Sequence, residues 1–156
     1  MGETLGPLEF KPGLKDCGFC IHLGSREEAH IPKLWPYDEA STIAGQLFGN
    51  ILARNADRDG FAYVIERLTT GTLSVRDIVR DFCTSEEFRE KFVMNDTPNE
   101  LARRLLIRFG KEHRPDPSQV KQLALQFLTL NWCEAMSTFI TSPAYKYGDD
   151  QVPLWQ

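Results

Sequence analysis

Apolar residues recur at intervals of three and four along most of the chain after Tyr37. This is the spacing of one face of an α-helix, and Ile43, Leu47 and Ile51 predict a first helix over about 38–54. The same spacing predicts six further helices, which run over about 60–70 and then begin near Ser74, Ser85, Thr97 or Asn99, Pro117 and Trp132. Few segments alternate with the period of two that marks a strand, so the sequence predicts an all-α, compact multi-helix bundle.

The chain also resembles itself when it is shifted by fifty-seven residues. The shift superimposes residues of the same type, namely Phe82 on Phe139, Thr84-Ser85 on Thr141-Ser142, Phe88 on Tyr145, Leu68 on Leu125, and Asp59 on Asp116. We therefore expect two similar helical units that stack on one core, because neither unit can bury its apolar face alone.

Residues 1–36 differ in composition from the rest of the chain. They hold four of the nine prolines, together with five glycines. Proline removes a backbone donor and glycine adds conformational entropy, so long helices are disfavoured here. The sequence predicts an irregular arm over 1–36 and a helical domain over 37–156.

Charge and length limit the classes of function. The chain of 156 residues has a formal net charge of −4, which argues against general nucleic-acid binding because that would favour a basic face. No apolar stretch approaches the ~20 residues that span a bilayer, and the start lacks the pattern of a signal peptide. We expect an intracellular protein with reduced thiols and no membrane span.

A stretch between the first two predicted helices matches the spacing of a calcium-binding loop. Asn55, Asp57, Asp59 and Glu66 stand at loop positions one, three, five and twelve, and Gly60 stands at position six. Oxygen ligands at this spacing can surround a hard cation. In the alternative, Asp57 and Asp59 form a turn and cap the next helix, while Glu66 lies on a solvated surface.

The arm contains a second candidate metal site. Cys17 and Cys20 are separated by two residues, and with His22 and His30 they offer four ligands suited to tetrahedral zinc. The alternatives are a redox-active pair of cysteines or two thiols in a loop without a metal. The other cysteines, at 83 and 133, fall in helical segments and are expected to fill the core.

Basic residues cluster on and after the helix that begins near Thr97, at Arg103, Arg104, Arg108, Lys111 and Arg114. This cluster can dock an acidic partner or a phosphate, or simply form a solvated surface. The sequence contains no recognisable nucleotide loop, and no nucleophile beside a base, so catalysis is not indicated. We expect a protein that is not an enzyme and needs no cofactor.

Three segments resemble the phycobilisome linker domain family. Gln46-Leu47-Phe48-Gly49-Asn50 is similar to the motif of the family's first helix. The stretch from Leu73 to Arg80, followed by Ser85 to Phe92, resembles a second family motif, and the tail from Ser142 to Trp155 resembles the family's ending. Together the three segments span about residues 40–155 in the order found in the family.

The resemblance implies a helical linker that sits within rings of phycobiliproteins, sets their stacking and tunes energy transfer. The bilin pigments belong to the ring proteins, so none is implied for this chain. It also implies a location at the cytoplasmic or stromal face of the thylakoid membrane, and Trp155 in the tail becomes a further candidate for partner contact.

Two alternatives remain at this point. A related group of bacterial helical domains, some with no link to photosynthesis, shares a pattern matched here by Asp57, Gly60, Tyr63, Leu68, Gly71, Ser85 and Phe88. The chain is then an adaptor of linker fold in a non-photosynthetic bacterium. The other alternative is a regulatory domain that binds calcium or zinc.

Overall fold

A computed structural model describes residues 33–155. Within this range the chain forms seven α-helices and no strand, so the predicted all-α class is confirmed. The helices are α1 (Tyr37–Leu47), α2 (Arg58–Thr70), α3 (Val75–Cys83), α4 (Glu86–Phe88), α5 (Pro98–Arg108), α6 (Pro117–Thr129) and α7 (Trp132–Ile140). No helix in these residues is long and apolar enough to cross a membrane.

Side-chain caps set where the helices after α1 begin. Ser74 accepts a hydrogen bond from the backbone N–H of Asp77, whose carboxylate accepts one from Ser74 in return, at 3.1 Å each. Thr97 and Glu100 form the same reciprocal box at the start of α5. Each box satisfies donors that the first helical turn leaves unpaired, which fixes the helix start at that residue.

The first helix is shorter than predicted. It was expected to continue to residue 54, but α1 ends at Leu47 and passes into a π-helical turn, Phe48–Leu52, which stops at Ala53 with φ of 59°. The apolar side chains of the turn, Phe48, Ile51 and Leu52, are fully buried. Single π turns are rare, and the burial of these three side chains stabilises this one. A second π turn, Arg89–Val93, follows α4.

The predicted internal repeat is visible in the helix bounds. α3 and α7 have nine residues each and are related by the shift of fifty-seven. Each is followed by a Thr-Ser pair with the same bonds, since Thr84 and Thr141 donate to carbonyls four residues earlier at 2.8 Å. Ser85 and Ser142 likewise donate to carbonyls three residues earlier at 2.7 Å.

The middle helices of the two units, α2 and α6, are not related by the shift of fifty-seven that relates α3 and α7. α2 and α6 both have thirteen residues, and each begins after an aspartate cap, Asp57 or Asp116. The sequence comparison had paired Asp59 with Asp116, which is wrong by two residues. The connection from α6 to α7 is two residues shorter than the one from α2 to α3, so the register changes between these helices. The units are therefore α1–α2–α3 and α5–α6–α7.

The tail after α7 folds back over both units. The backbone N–H of Trp155 donates to the Asn50 carbonyl at 3.2 Å, and that of Arg76 donates to the Asp149 carbonyl at 3.0 Å. The Trp155 ring lies in an aromatic cluster, with centroids 5.2 Å from both Phe88 and Phe109. One apolar core thus spans the two units, with the tail as part of it.

Candidate partner-binding surface

Two exposed arginines form the centre of the basic surface on α5. Arg103 and Arg108 flank half-buried Ile107, and with Arg104 they line an open groove of about 300 Å³. Within the described residues neither Arg103 nor Arg108 is held in an ion pair. Their guanidinium groups are therefore available to a ligand from solution.

The other two predicted basic residues are held by aromatic rings. The Arg104 guanidinium lies 4.9 Å from the centroid of the Trp155 ring and 3.9 Å from an Asp96 carboxylate oxygen. Lys111 is exposed, and its Nζ lies 4.3 Å from the Tyr147 ring centroid. Cation–π contacts of this kind orient a cation without neutralising it. Arg104 therefore acts mainly inside the fold, while Lys111 extends the basic surface.

The assignment of Trp155 to partner contact is wrong. Its side chain is fully buried, between Phe88, Phe109 and the more distant Phe92. A tail motif gives no information on burial, because the same aromatic residue can serve an interface or a core. In the described tail, the Trp155 side chain is part of the core.

The calcium loop is also contradicted by the geometry. The segment expected to form a loop is mostly helix, because α2 starts at Arg58 and contains both Asp59 and Glu66. Seven residues along a helix advance ~10 Å, whereas ligands of one calcium ion lie within about 2.6 Å of it. Among residues 33–155 no group of three His, Cys, Asp or Glu side chains is arranged to hold a metal ion.

The residues of the calcium motif have structural partners instead. Asp57 accepts the Gly60 N–H at 3.2 Å as the cap of α2, and its other oxygen accepts from Arg54 at 3.2 Å. Glu66 pairs with Arg67 at 2.9 Å on the exposed side of α2. Asn55 is exposed in the connection. The structure therefore agrees with the alternative in which this stretch forms a turn and caps α2 instead of binding calcium.

The candidate zinc ligands Cys17, Cys20, His22 and His30 lie outside the described residues, so zinc binding by the arm stays a prediction. Elemental analysis of the full chain, purified with and without added zinc, decides it. One equivalent of zinc that is lost in Cys17→Ser supports the site. A chain that retains no zinc contradicts it.

Sequence reasoning missed a buried ionic cluster around Glu87. Its side chain is 5% exposed and accepts two bonds from Arg54, at 2.6 and 2.9 Å, and one from Lys91 at 2.8 Å. Hydrogen bonding to Glu87 raises the pKa of Arg54 above its ordinary value. Glu87 in α4 and Lys91 in the π turn that follows are four residues apart, a spacing that predicts their contact, but Arg54 is thirty-three residues from Glu87 and carries no such signal.

Other buried polar groups also have structural roles. Tyr63 donates to the buried Asp81 carboxylate at 2.6 Å, and burial, together with the charge of Asp81, raises the pKa of Tyr63. Burial raises the pKa of the Cys83 thiol well above its usual range, so it stays protonated and unreactive. Cys133 is buried as well, as predicted for core-filling cysteines.

Comparison with known families matches one part of the chain. Residues 39–92 match the model of a family described as a domain of unknown function, DUF4214. No curated protein matches the sequence. The matched span begins in the first turn of α1, includes α2 to α4 and ends in the second π turn, so it contains most of the first helical unit.

Proposed function

We propose that this chain is a non-enzymatic scaffold that joins protein subunits, and that its partners are phycobiliprotein rings of a light-harvesting antenna. The observation that carries the scaffold role is the exposed pair Arg103 and Arg108 on a chain whose net charge is negative. The choice of partner rests on the sequence motifs around Phe48, Ser85 and the tail, which resemble those of linker domains.

The arginine pair is suited to an acidic protein surface. A guanidinium group can bind a carboxylate through two parallel hydrogen bonds, which fixes direction as well as charge. Each exposed ion pair contributes only ~0.2–1 kcal/mol, so the arginines guide and orient a partner rather than supply most of the affinity. The bulk of the affinity must come from apolar contacts beside them.

Binding to purified phycobiliprotein hexamers tests this proposal. We expect Arg103→Glu with Arg108→Glu to weaken binding at least tenfold, and added salt to weaken binding by the wild type. A matched control is Arg58→Glu with Lys146→Glu, which makes the same change of net charge at two other exposed positions. The control should change affinity less than twofold.

Two results contradict the proposal in different ways. Equal weakening in both double variants means that net charge matters and the α5 surface does not. Absence of any binding to the hexamers removes phycobiliproteins as partners. In that second case an adaptor in another assembly is the candidate function, and it rests on the pattern of Asp57, Gly60 and Tyr63 that the chain shares with related bacterial helical domains.

A further inference from the structure

The outer side of α6 exposes an unusual row of leucines. Leu125 is 49% exposed, Leu128 is 66% exposed, and Leu130, just beyond the helix, is 37% exposed. Lys121, Leu125 and Leu128 are spaced by four and three residues, so they share one solvent-facing stripe. The buried side of the same helix is formed by Leu123 and Ala124.

The repeat shows that these leucines are not needed for folding. When α2 and α6 are aligned on their aspartate caps, Leu125 corresponds to Glu66 and Leu128 to Thr69. Glu66 is exposed and Thr69 is half-buried, so the same architecture accepts polar residues at both positions. The exposed part of an apolar side chain adds nothing to folding, but it adds affinity when a partner covers it.

The charge around the stripe indicates the sign of the partner. The α5–α6 hairpin, 98–129, contains six basic and three acidic residues, whereas the corresponding α1–α2 hairpin, 37–70, contains three basic and five acidic residues. Helix α6 itself has no acidic residue from Pro117 to Thr129. The leucine stripe therefore lies on the basic hairpin, next to the helix that carries Arg103 and Arg108.

We propose that the outer side of α6 docks an acidic amphipathic helix of a partner protein, a proposal that rests on the scaffold role above and names the surface that supplies its affinity. Apolar residues of the partner helix cover Leu125 and Leu128. Its carboxylates face Lys121 and the arginines of α5. Amphipathic helices commonly bind in this way, through apolar anchors spaced at three and four residues.

A cleft between the adjoining side of α6 and α7 offers the partner helix an anchoring point. It has a volume of about 160 Å³, an apolar floor of Leu106, Leu123 and Phe139, and a rim that includes Gln122 and Gln126. The apolar floor suits one inserted side chain, and the glutamine amides can both donate and accept hydrogen bonds at its edge. This combination favours a protein ligand over a lipid surface, which offers no matching anchor.

A second copy of the chain is a poorer match. Two copies that meet through α6 bring two basic hairpins together, which is repulsive. A contact between α6 of one copy and α2 of another places the leucines against Glu66 and Thr69, which offer no apolar cover. Charge and apolar matching together therefore favour a different, acidic partner.

The test uses a designed probe and the full chain. The probe is a fluorescein-labelled peptide of eighteen residues, with leucines at helical spacing on a background of glutamate. We expect Leu125→Gln with Leu128→Gln to weaken its binding at least tenfold by fluorescence anisotropy. The matched control, Met94→Gln with Leu154→Gln, removes two apolar residues that are 62% and 45% exposed elsewhere and should change affinity less than twofold.

Several results overturn the proposal. Equal binding of a peptide with lysine in place of glutamate removes the charge argument, and equal loss in the control pair removes the site. Absence of peptide binding also contradicts it. If the chain binds phosphatidylglycerol vesicles but not the peptide, and the leucine variants lose that binding, the stripe binds lipid. If the chain forms dimers in sedimentation equilibrium that the leucine variants do not form, the stripe serves self-association. The peptide result is independent of the hexamer result, so failure of the surface and failure of the phycobiliprotein assignment are distinguished.

Discussion

Replacement of Trp155 by alanine provides the sharpest test of the fold, because this residue had been assigned to partner contact. In the structure its ring is fully buried, with Phe88 and Phe109 at centroid distances of 5.2 Å and the Arg104 guanidinium at 4.9 Å. It lies where the tail meets both helical units. Its removal therefore acts on the core rather than on a binding surface.

The size of the effect follows from these contacts. Truncation of a buried Trp to Ala costs ~3–5 kcal/mol, and aromatic pairs add ~0.5–1.5 kcal/mol each beyond their buried area. With two close rings and a cation above the indole, we expect Trp155→Ala to cost about 5 kcal/mol, at the upper end of that range. This is comparable to the total stability of a marginal domain, ~5–15 kcal/mol.

Trp155→Phe separates ring packing from the indole nitrogen. The buried indole N–H has no hydrogen-bond acceptor among the described residues, so phenylalanine removes an unsatisfied donor and leaves only a small cavity. We expect a loss of about 1–2 kcal/mol, well below that of alanine.

Guanidinium unfolding followed by helical circular dichroism measures both variants. The free energy of unfolding is obtained by linear extrapolation for each variant and for the wild type. If Trp155→Ala lowers the free energy of unfolding by less than about 1 kcal/mol and also weakens partner binding, Trp155 does not act in the core and contacts a partner instead.

Four further variants test other parts of the structure. Gly60→Ala places a Cβ 2.5 Å from the Phe48 ring and should lower the free energy of unfolding by ~1–3 kcal/mol, measured by thermal or chemical unfolding. Gly45→Ala, with open space around it in α1, should raise the free energy of unfolding by ~0.5–1 kcal/mol. Glu87→Ala removes two hydrogen bonds from the Arg54 guanidinium, which then keeps only its contacts with Asp57 and the Asn55 carbonyl. It should cost ~1–3 kcal/mol by denaturant unfolding, and a loss below about 0.5 kcal/mol contradicts the cluster. Burial raises the pKa of Tyr145, so the folded state keeps a proton that the unfolded chain releases. Stability should therefore fall as pH rises above about 10, and Tyr145→Phe should reduce that fall in unfolding curves measured between pH 8 and pH 11.

Helix positions were predictable from the sequence because their signals are local. Apolar spacing and capping residues such as Ser74 and Thr97 act within a few residues, so each helix could be located without knowledge of the rest. The π turn after Leu47 was not predictable, since its pattern of buried residues is the same as that of a continuing helix. The repeat was found, but its register within α6 was wrong because a shorter connection changed the offset.

The candidate site was only partly predictable, because exposure depends on distant residues. Arg103 and Arg108 were correctly placed on one helix, yet nothing local distinguished them from Arg104, which lies over Trp155. The ligand spacing of the calcium motif was real in the sequence, but the Asp57 cap starts α2 inside it and separates Asp59 from Glu66. Spacing alone cannot tell a loop from the first turns of a helix.

The internal repeat separates residues that the fold requires from residues that it merely permits. An aspartate caps the middle helix of both units, and the Thr-Ser pairs make the same bonds to preceding carbonyls in both, so the fold accounts for them. The outer positions of the middle helices differ, since polar residues on α2 are replaced by leucines on α6, and the hairpins carry opposite charge. A module that only had to fold would have no physical need for this difference. The proposed scaffold would use such a difference, because two unlike surfaces can bind two unlike partners.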